Sequence, residues 1–311
     1  MTTATGTSPT GTTVALALGG GGARGYAHIG VLKALAERNC TVVGLAGTSM
    51  GALVGGLYAA GALDQFEDWA MSLNQRKVLR MLDPAFGQPG AVRLERVLSR
   101  ISEMLDDAQI EDLQIHYVAT ATDLNHWREV WFRRGPVDVA IRASIAIPSV
   151  ITPVMIHGRL LVDGGVLNPV PMEALAGVDA DLVVSVDLSG PATGATSLRP
   201  VTHESAAPEG GEPWLAKLRG MLGLRPRTDT ESVEERVLED LPEGLRTFDV
   251  LNGSLEAMQA LITRYRRAAH PADVEMAIPR NSCGVLDFHR APEMIELGYR
   301  TAVESLDRAG V

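Results

Sequence analysis

The chain has 311 residues, 46% of them apolar and only 5% aromatic, with 32 glycines and a formal charge of −10. That length suits one large α/β domain with additions or two small ones, with a core built mainly from Ala, Val, Leu and Gly. The acidic balance excludes nucleic acid as a main partner while leaving room for a local basic patch; two cysteines, Cys40 and Cys283, are too few for a disulfide framework, and neither lies in a zinc-type CxxC pair.

Residues 1–13, "MTTATGTSPTGTT", lack the basic and apolar regions of a secretory signal and read as a disordered polar tail. "VALAL" (14–18) is a short buried strand, and the glycine run 19–25 leads into a helix over 25–38. "TVVGLAG" (41–47) is a second buried strand, followed by a small-residue helix over 49–62. Strand–helix–strand–helix order predicts a mostly parallel sheet flanked by helices. Further strands are expected at 115–124, 129–135, 159–165 and 180–188, with a short helix beginning at 136.

After residue 190 the pattern changes to Pro, Gly, Ser, Thr and charge. The expected organisation is a catalytic domain over 14–190, a mobile insert or lid over 191–245, and a helix–strand–helix over 246–311 that completes the same domain. No stretch of about 18 uncharged apolar residues is present, so no membrane span is expected.

Three segments carry the chemistry. "GGGGARG" (19–25) lies between a strand and a helix and matches the dinucleotide spacing GxGxxG as Gly20, Gly22 and Gly25. That fingerprint also needs an acidic residue after the second strand, and here the strand ends in "GTSMG" (47–51). A serine between an ending strand and a starting helix, flanked by Gly47 and Gly51, fits a nucleophile elbow, although a plain helix cap has the same local look. "VDGG" (162–165) sets Asp163 at a strand end before Gly164 and Gly165, where it suits a base or an ordinary turn. Together they supply a nucleophile, a base and a set of backbone donors around Gly20, Gly21, Gly22, Arg24 and Gly25 for an oxyanion.

The order "GGGARG", "GTSMG", "DGG", with "GYAHIGVLKAL" and the Ser-x-x-x-Pro stretch "IRASIAIPSVITPV", resembles the patatin-like phospholipases over residues 14 to about 190. The resemblance implies a three-layer α/β/α fold and hydrolysis of lipid acyl esters. It implies Ser49 as nucleophile and Asp163 as base, without a catalytic histidine, metal or cofactor. Gly19 is an addition expected to alter only the strand end, and His126 and Trp127 in "TDLNHW" are departures expected to alter the wall of the site.

Two other readings compete with the Ser–Asp pair. A histidine triad finds no support in the motifs, because His203, His270 and His289 lack glycine-rich strand-end surroundings and His28 reads as packing. A silent binding or signalling module on the same fold would have no reason to keep all three motifs. Residues 213–227, "PWLAKLRGMLGLRPR", set Trp214, Leu215, Leu218, Met221 and Leu222 on one face beside four cations. That pattern suits peripheral contact with the inner face of a membrane, or a lid or oligomer contact, in a cytoplasmic protein.

Overall fold

The computed structural model describes residues 11–81, 92–193, 244–245 and 247–311. Residues 213–227, His203 and nearly all of the expected tail and insert lie outside the described residues. By spatial grouping, residues 1–196 and 254–311 form one unit and residues 197–253 another.

In the first unit, β1 (Thr13–Leu18) alternates large and small side chains. Val14, Leu16 and Leu18 enter the main core, whereas Ala15 and Ala17 enter a thinner one on the opposite face. β1 pairs in parallel with β2 (Thr41–Thr48) and with β7 (Leu182–Gly190), and β8 (Val274–Pro279) extends the parallel run. β3 (His116–Asp123) pairs in parallel with β2 on the other side.

Three further strands run antiparallel to their neighbours: β4 (Arg128–Phe132) and β6 (Arg159–Asp163) on β3, and β5 (Val154–Ile156) on β6. The expected strands at 129–135 and 159–165 thus exist, but outside the parallel part. The turn at 124–127 is far too short for the crossover that a parallel pair requires, so β4 has to return antiparallel.

The main core face is covered by α1 (Ala27–Glu37), α2 (Met50–Ala59), α5 (Glu95–Leu105), α6 (Val137–Ser144) and α8 (Ala291–Ala309). α3 (Leu63–Met71) and α4 (Gln75–Met81) fill a stretch to which no element was assigned from sequence. On the opposite face lies a 3-10 turn, Met172–Leu175. The helix α7 (Thr247–Ala269) contributes its residues from Ser254 onward to this unit. Arg266 of α7 ties that helix to the sheet by pairing with Glu129 and Glu173, and Asn168 donates to both carboxylates.

Cys40 and Cys283 are both buried and free. Among the described residues no helix is long and apolar enough to cross a membrane.

Candidate active site

β3 decides where the site forms. One edge of β3 carries β4, from Ala119 to Asp123. The other edge is shared: β2 occupies it up to Thr120, and β6 occupies it from Ala121 to Asp123. β2 is parallel to β3 and β6 antiparallel, so their C-terminal ends meet head to head. Thr48 sits opposite Thr120 and Asp163 opposite Ala121, adjacent positions on one strand.

Ser49 follows Thr48 directly and precedes α2. Its backbone has φ 56° and ψ −122°, a region that L residues rarely adopt and that costs about 1–3 kcal/mol. Two bonds hold it there: the Ser49 N–H donates to Ser144 Oγ at 2.8 Å, and its carbonyl accepts from Leu53 N–H at 3.0 Å. The flanking glycines are demanded by close approach. A Cβ on Gly47 would lie 2.4 Å from the Gly51 backbone, and one on Gly51 would lie 2.1 Å from the Leu18 carbonyl oxygen. Ser144 is the serine of the Ser-x-x-x-Pro stretch, and its contribution was not read from sequence.

Ser49 Oγ donates to Asp163 Oδ2 at 2.5 Å. The other carboxylate oxygen, Oδ1, accepts from Gly165 N–H at 2.7 Å. Both side chains are buried. Burial pushes the Asp163 pKa up to about 6, against the opposing pull of the hydrogen bonds from Ser49 and Gly165. Gly164 passes so close to β3 that a Cβ there would lie 2.5 Å from the Thr120 carbonyl oxygen. Beneath the pair, the hydroxyls of Thr48 and Thr120 are 2.6 Å apart, and Thr48 also donates to the Asn168 carbonyl. This buried link was likewise missed.

The glycine loop runs beside Ser49, with a Cβ on Gly20 only 3.2 Å from Ser49 Cβ. Its expected donors divide into two groups. Gly20 N–H is taken by the Pro169 carbonyl at 3.0 Å, and Ala23 N–H by the Val285 carbonyl at 2.9 Å. Arg24 and Gly25 lie inside a 3-10 turn, Gly22–Tyr26, where i→i−3 bonding engages their N–H groups. The Gly20 N–H, an expected oxyanion donor, is thus already engaged by Pro169. The N–H groups of Gly21 and Gly22 find no acceptor among the described residues.

Arg24 instead braces the loop. Its buried guanidinium donates to the carbonyls of Gly21 at 3.2 Å and Arg280 at 2.6 Å, and pairs with Glu256 at 2.8 Å. Gly25 leaves room for Met50, whose Cβ would be 2.3 Å from a Cβ there. His28 is fully buried under the loop with Nε2 at 2.8 Å from the Gly19 carbonyl oxygen. Burial pushes its pKa down to about 4, so the neutral ring donates to that oxygen. Gly19 itself extends the β1–β7 ladder by donating to Val186, as expected of a strand-end addition.

Ser49 and Gly22 open on a small apolar pocket of about 90 Å³. The walls come from α2, α3, α4 and α5 and from the loop after α6, and include Leu53, Phe66, Trp69, Ile101, Ile147 and Ile151. A mostly apolar lining that includes Ser49 suits an acyl chain with its ester at that serine. Neither His126 nor Trp127 lines this cavity. The expectation that they shape its wall is corrected: they form the β3–β4 turn, where Trp127 stands in solvent.

Comparisons with known proteins bear on the family. A patatin-like phospholipase family model matches residues 16–176, which span the glycine loop, Ser49 and Asp163. An uncharacterized NTE family protein of Mycobacterium tuberculosis is 41% identical, covering 94% of this chain and 91% of its own. Patatin-like phospholipase domain-containing protein 6 of Homo sapiens is 34% identical over 58% of this chain and 14% of its own length. Lysophospholipase NTE1 of Coccidioides immitis is 28% identical over 96% of this chain and 18% of its own. With a family match over more than half its length and a relative of that similarity along nearly all of it, this chain belongs to the patatin-like phospholipase family.

Proposed function

We propose that the protein is a serine acyl hydrolase that cleaves fatty-acyl esters of phospholipids or lysophospholipids through Ser49 and Asp163. The observation that carries this reading is the 2.5 Å hydrogen bond from Ser49 Oγ to Asp163 Oδ2 beside an apolar pocket. Asp163 takes the hydroxyl proton as Oγ attacks the ester carbonyl. The oxyanion forms against the free N–H groups of Gly21 and Gly22. The tetrahedral intermediate collapses, and the alcohol leaves with the proton held by Asp163. The acyl-enzyme is then opened by a water that Asp163 deprotonates, and the carboxyl returns that proton to Ser49 Oγ as the fatty acid leaves.

A carboxylate is a weaker base than imidazole, so oxyanion stabilisation has to carry much of the rate; one donor of this kind is typically worth about 10² to 10³ in kcat. The name of the Coccidioides relative, a lysophospholipase, supports keeping lysophospholipid in the substrate class. A fluorophosphonate probe tests the reading. Labelling of the wild type and not of Ser49→Ala supports it, and a folded wild type that takes no label would point to the silent module instead. Fatty-acid release from a panel of lipids then ranks the substrates.

A further inference from the structure

Two hairpin turns stand together at the end of the sheet where the site lies. One joins β3 to β4 through Leu124, Asn125, His126 and Trp127, and the other joins β5 to β6 through His157 and Gly158. Leu124 N–H donates to the Leu160 carbonyl at 3.0 Å, which binds the two turns side by side. Asp123 lies three residues beyond Thr120 along β3, so the turns begin about 10 Å farther out than Ser49.

The tip is both apolar and basic. Trp127 is 86% exposed and Met155, on β5, is 63% exposed. Arg128 and Arg159 are about half exposed, and each places Nε 3.9 Å from the same oxygen of Asp123. Asp123 itself is fully buried and is capped by the N–H groups of Asn125 and His126, so it presents no carboxylate to solvent. The nearby Glu129 is turned inward to Arg266 and Asn168. Trp127 has φ 52°, a conformation that disfavours so bulky a side chain. The fold accepts that cost for an indole that packs against little of the protein.

We infer that this double tip, Trp127 and Met155 flanked by Arg128 and Arg159, docks the protein on an anionic lipid surface. An indole and a thioether suit the boundary between headgroups and acyl chains, and two guanidiniums suit lipid phosphates. Along the chain the tip is close to the acyl pocket: Ile151 lines that pocket, and Met155 follows it by four residues. The choice of a lipid surface as partner rests on the acyl-hydrolase reading.

Co-sedimentation of the full chain with phosphatidylcholine vesicles, with and without phosphatidylglycerol, tests it, using the Ser49→Ala background to keep the vesicles intact. Trp127→Ser with Met155→Ser should weaken binding by at least about fivefold. The same double change in the Ser49-containing chain should leave hydrolysis of soluble p-nitrophenyl butyrate and the melting temperature unchanged. Arg128→Gln with Arg159→Gln should remove the preference for phosphatidylglycerol. Wild-type affinity in both double variants overturns the proposal, as does binding lost only on deleting 213–227 or a parent chain that binds no vesicle. Failure of the acyl-hydrolase reading looks different: vesicle binding intact, with no ester cleaved by the wild type.

Discussion

Burial makes Asp163 hold its proton to a higher pH than an ordinary carboxyl, and the proposed reaction needs it ionised. Its pKa of about 6 stands above the ordinary 3.8 because burial disfavours the charge. Activity on a soluble ester should therefore rise with pH through about 6 as a single ionisation. The sign for stability is opposite. The folded state binds the extra proton between 3.8 and about 6, so stability falls as pH rises across that window and the full cost stands above it. That cost is about 3 kcal/mol, so Asp163→Asn should unfold at higher temperature than the wild type at pH 8. The advantage should shrink toward pH 4, and turnover should be absent throughout. A lower melting temperature for the variant at pH 8 would contradict the burial argument.

Ser144 poses a smaller question of the same kind. With Ser144→Ala the Ser49 N–H loses its acceptor in a buried place, at a cost of about 1–3 kcal/mol. Because that N–H holds the backbone of the proposed nucleophile, fluorophosphonate labelling should slow by more than the loss of stability accounts for. Equal labelling rates at matched folded fraction would reduce Ser144 to a packing residue.

Among elements, α1 and α8 depend on glycine in a way that permits a direct measurement. A Cβ on Gly30 would lie 2.0 Å from the Ile295 carbonyl oxygen, and one on Gly298 would lie 2.0 Å from that of Ala27. Backbone cannot yield as a flexible side chain would, so Gly30→Ala or Gly298→Ala should each cost roughly 2–4 kcal/mol in urea unfolding. The double variant should cost less than the sum, because the first change already separates the helices.

What sequence could say about elements followed from how local their causes are. The parallel strands were legible because runs such as "VALAL" and "TVVGLAG" are buried on both faces and bounded by glycine. α5 was legible too, since Val97, Leu98, Ile101, Met104 and Leu105 recur at helical spacing, but it went unread. α4, of 7 residues, and β5, of 3, are too short to show a period. The reversed direction of β4 and β6 is a property of connections, and no strand announces it alone. At the site, Ser49 and Asp163 stood out because glycines mark tight turns. The free donors could not be sorted from the bound ones, because Pro169 and Val285, which occupy Gly20 and Ala23, lie far along the chain.

At the scale of the molecule, a net charge of −10 sets the terms for any meeting with an anionic surface. The body as a whole is repelled, and only an end that locally reverses the sign can approach. The basic tip at Arg128 and Arg159 would then select an orientation as well as supply attraction. Its effect should be steep in salt, and raising ionic strength from about 0.05 M to 0.5 M should abolish the preference for phosphatidylglycerol vesicles.

The shared edge of β3 also has a kinetic meaning. Ser49 and Asp163 are separated by 114 residues of chain, yet they meet only where β2 and β6 abut on one neighbour. Neither hairpin formation nor helix formation can create that junction, because it requires three distant segments to be docked at once. Pairings of such long range close late in folding. After dilution from denaturant, far-ultraviolet circular dichroism should return first, and the capacity to take a fluorophosphonate label should return in a slower phase. Labelling at Ser49 thus doubles as a clock for the last step of assembly.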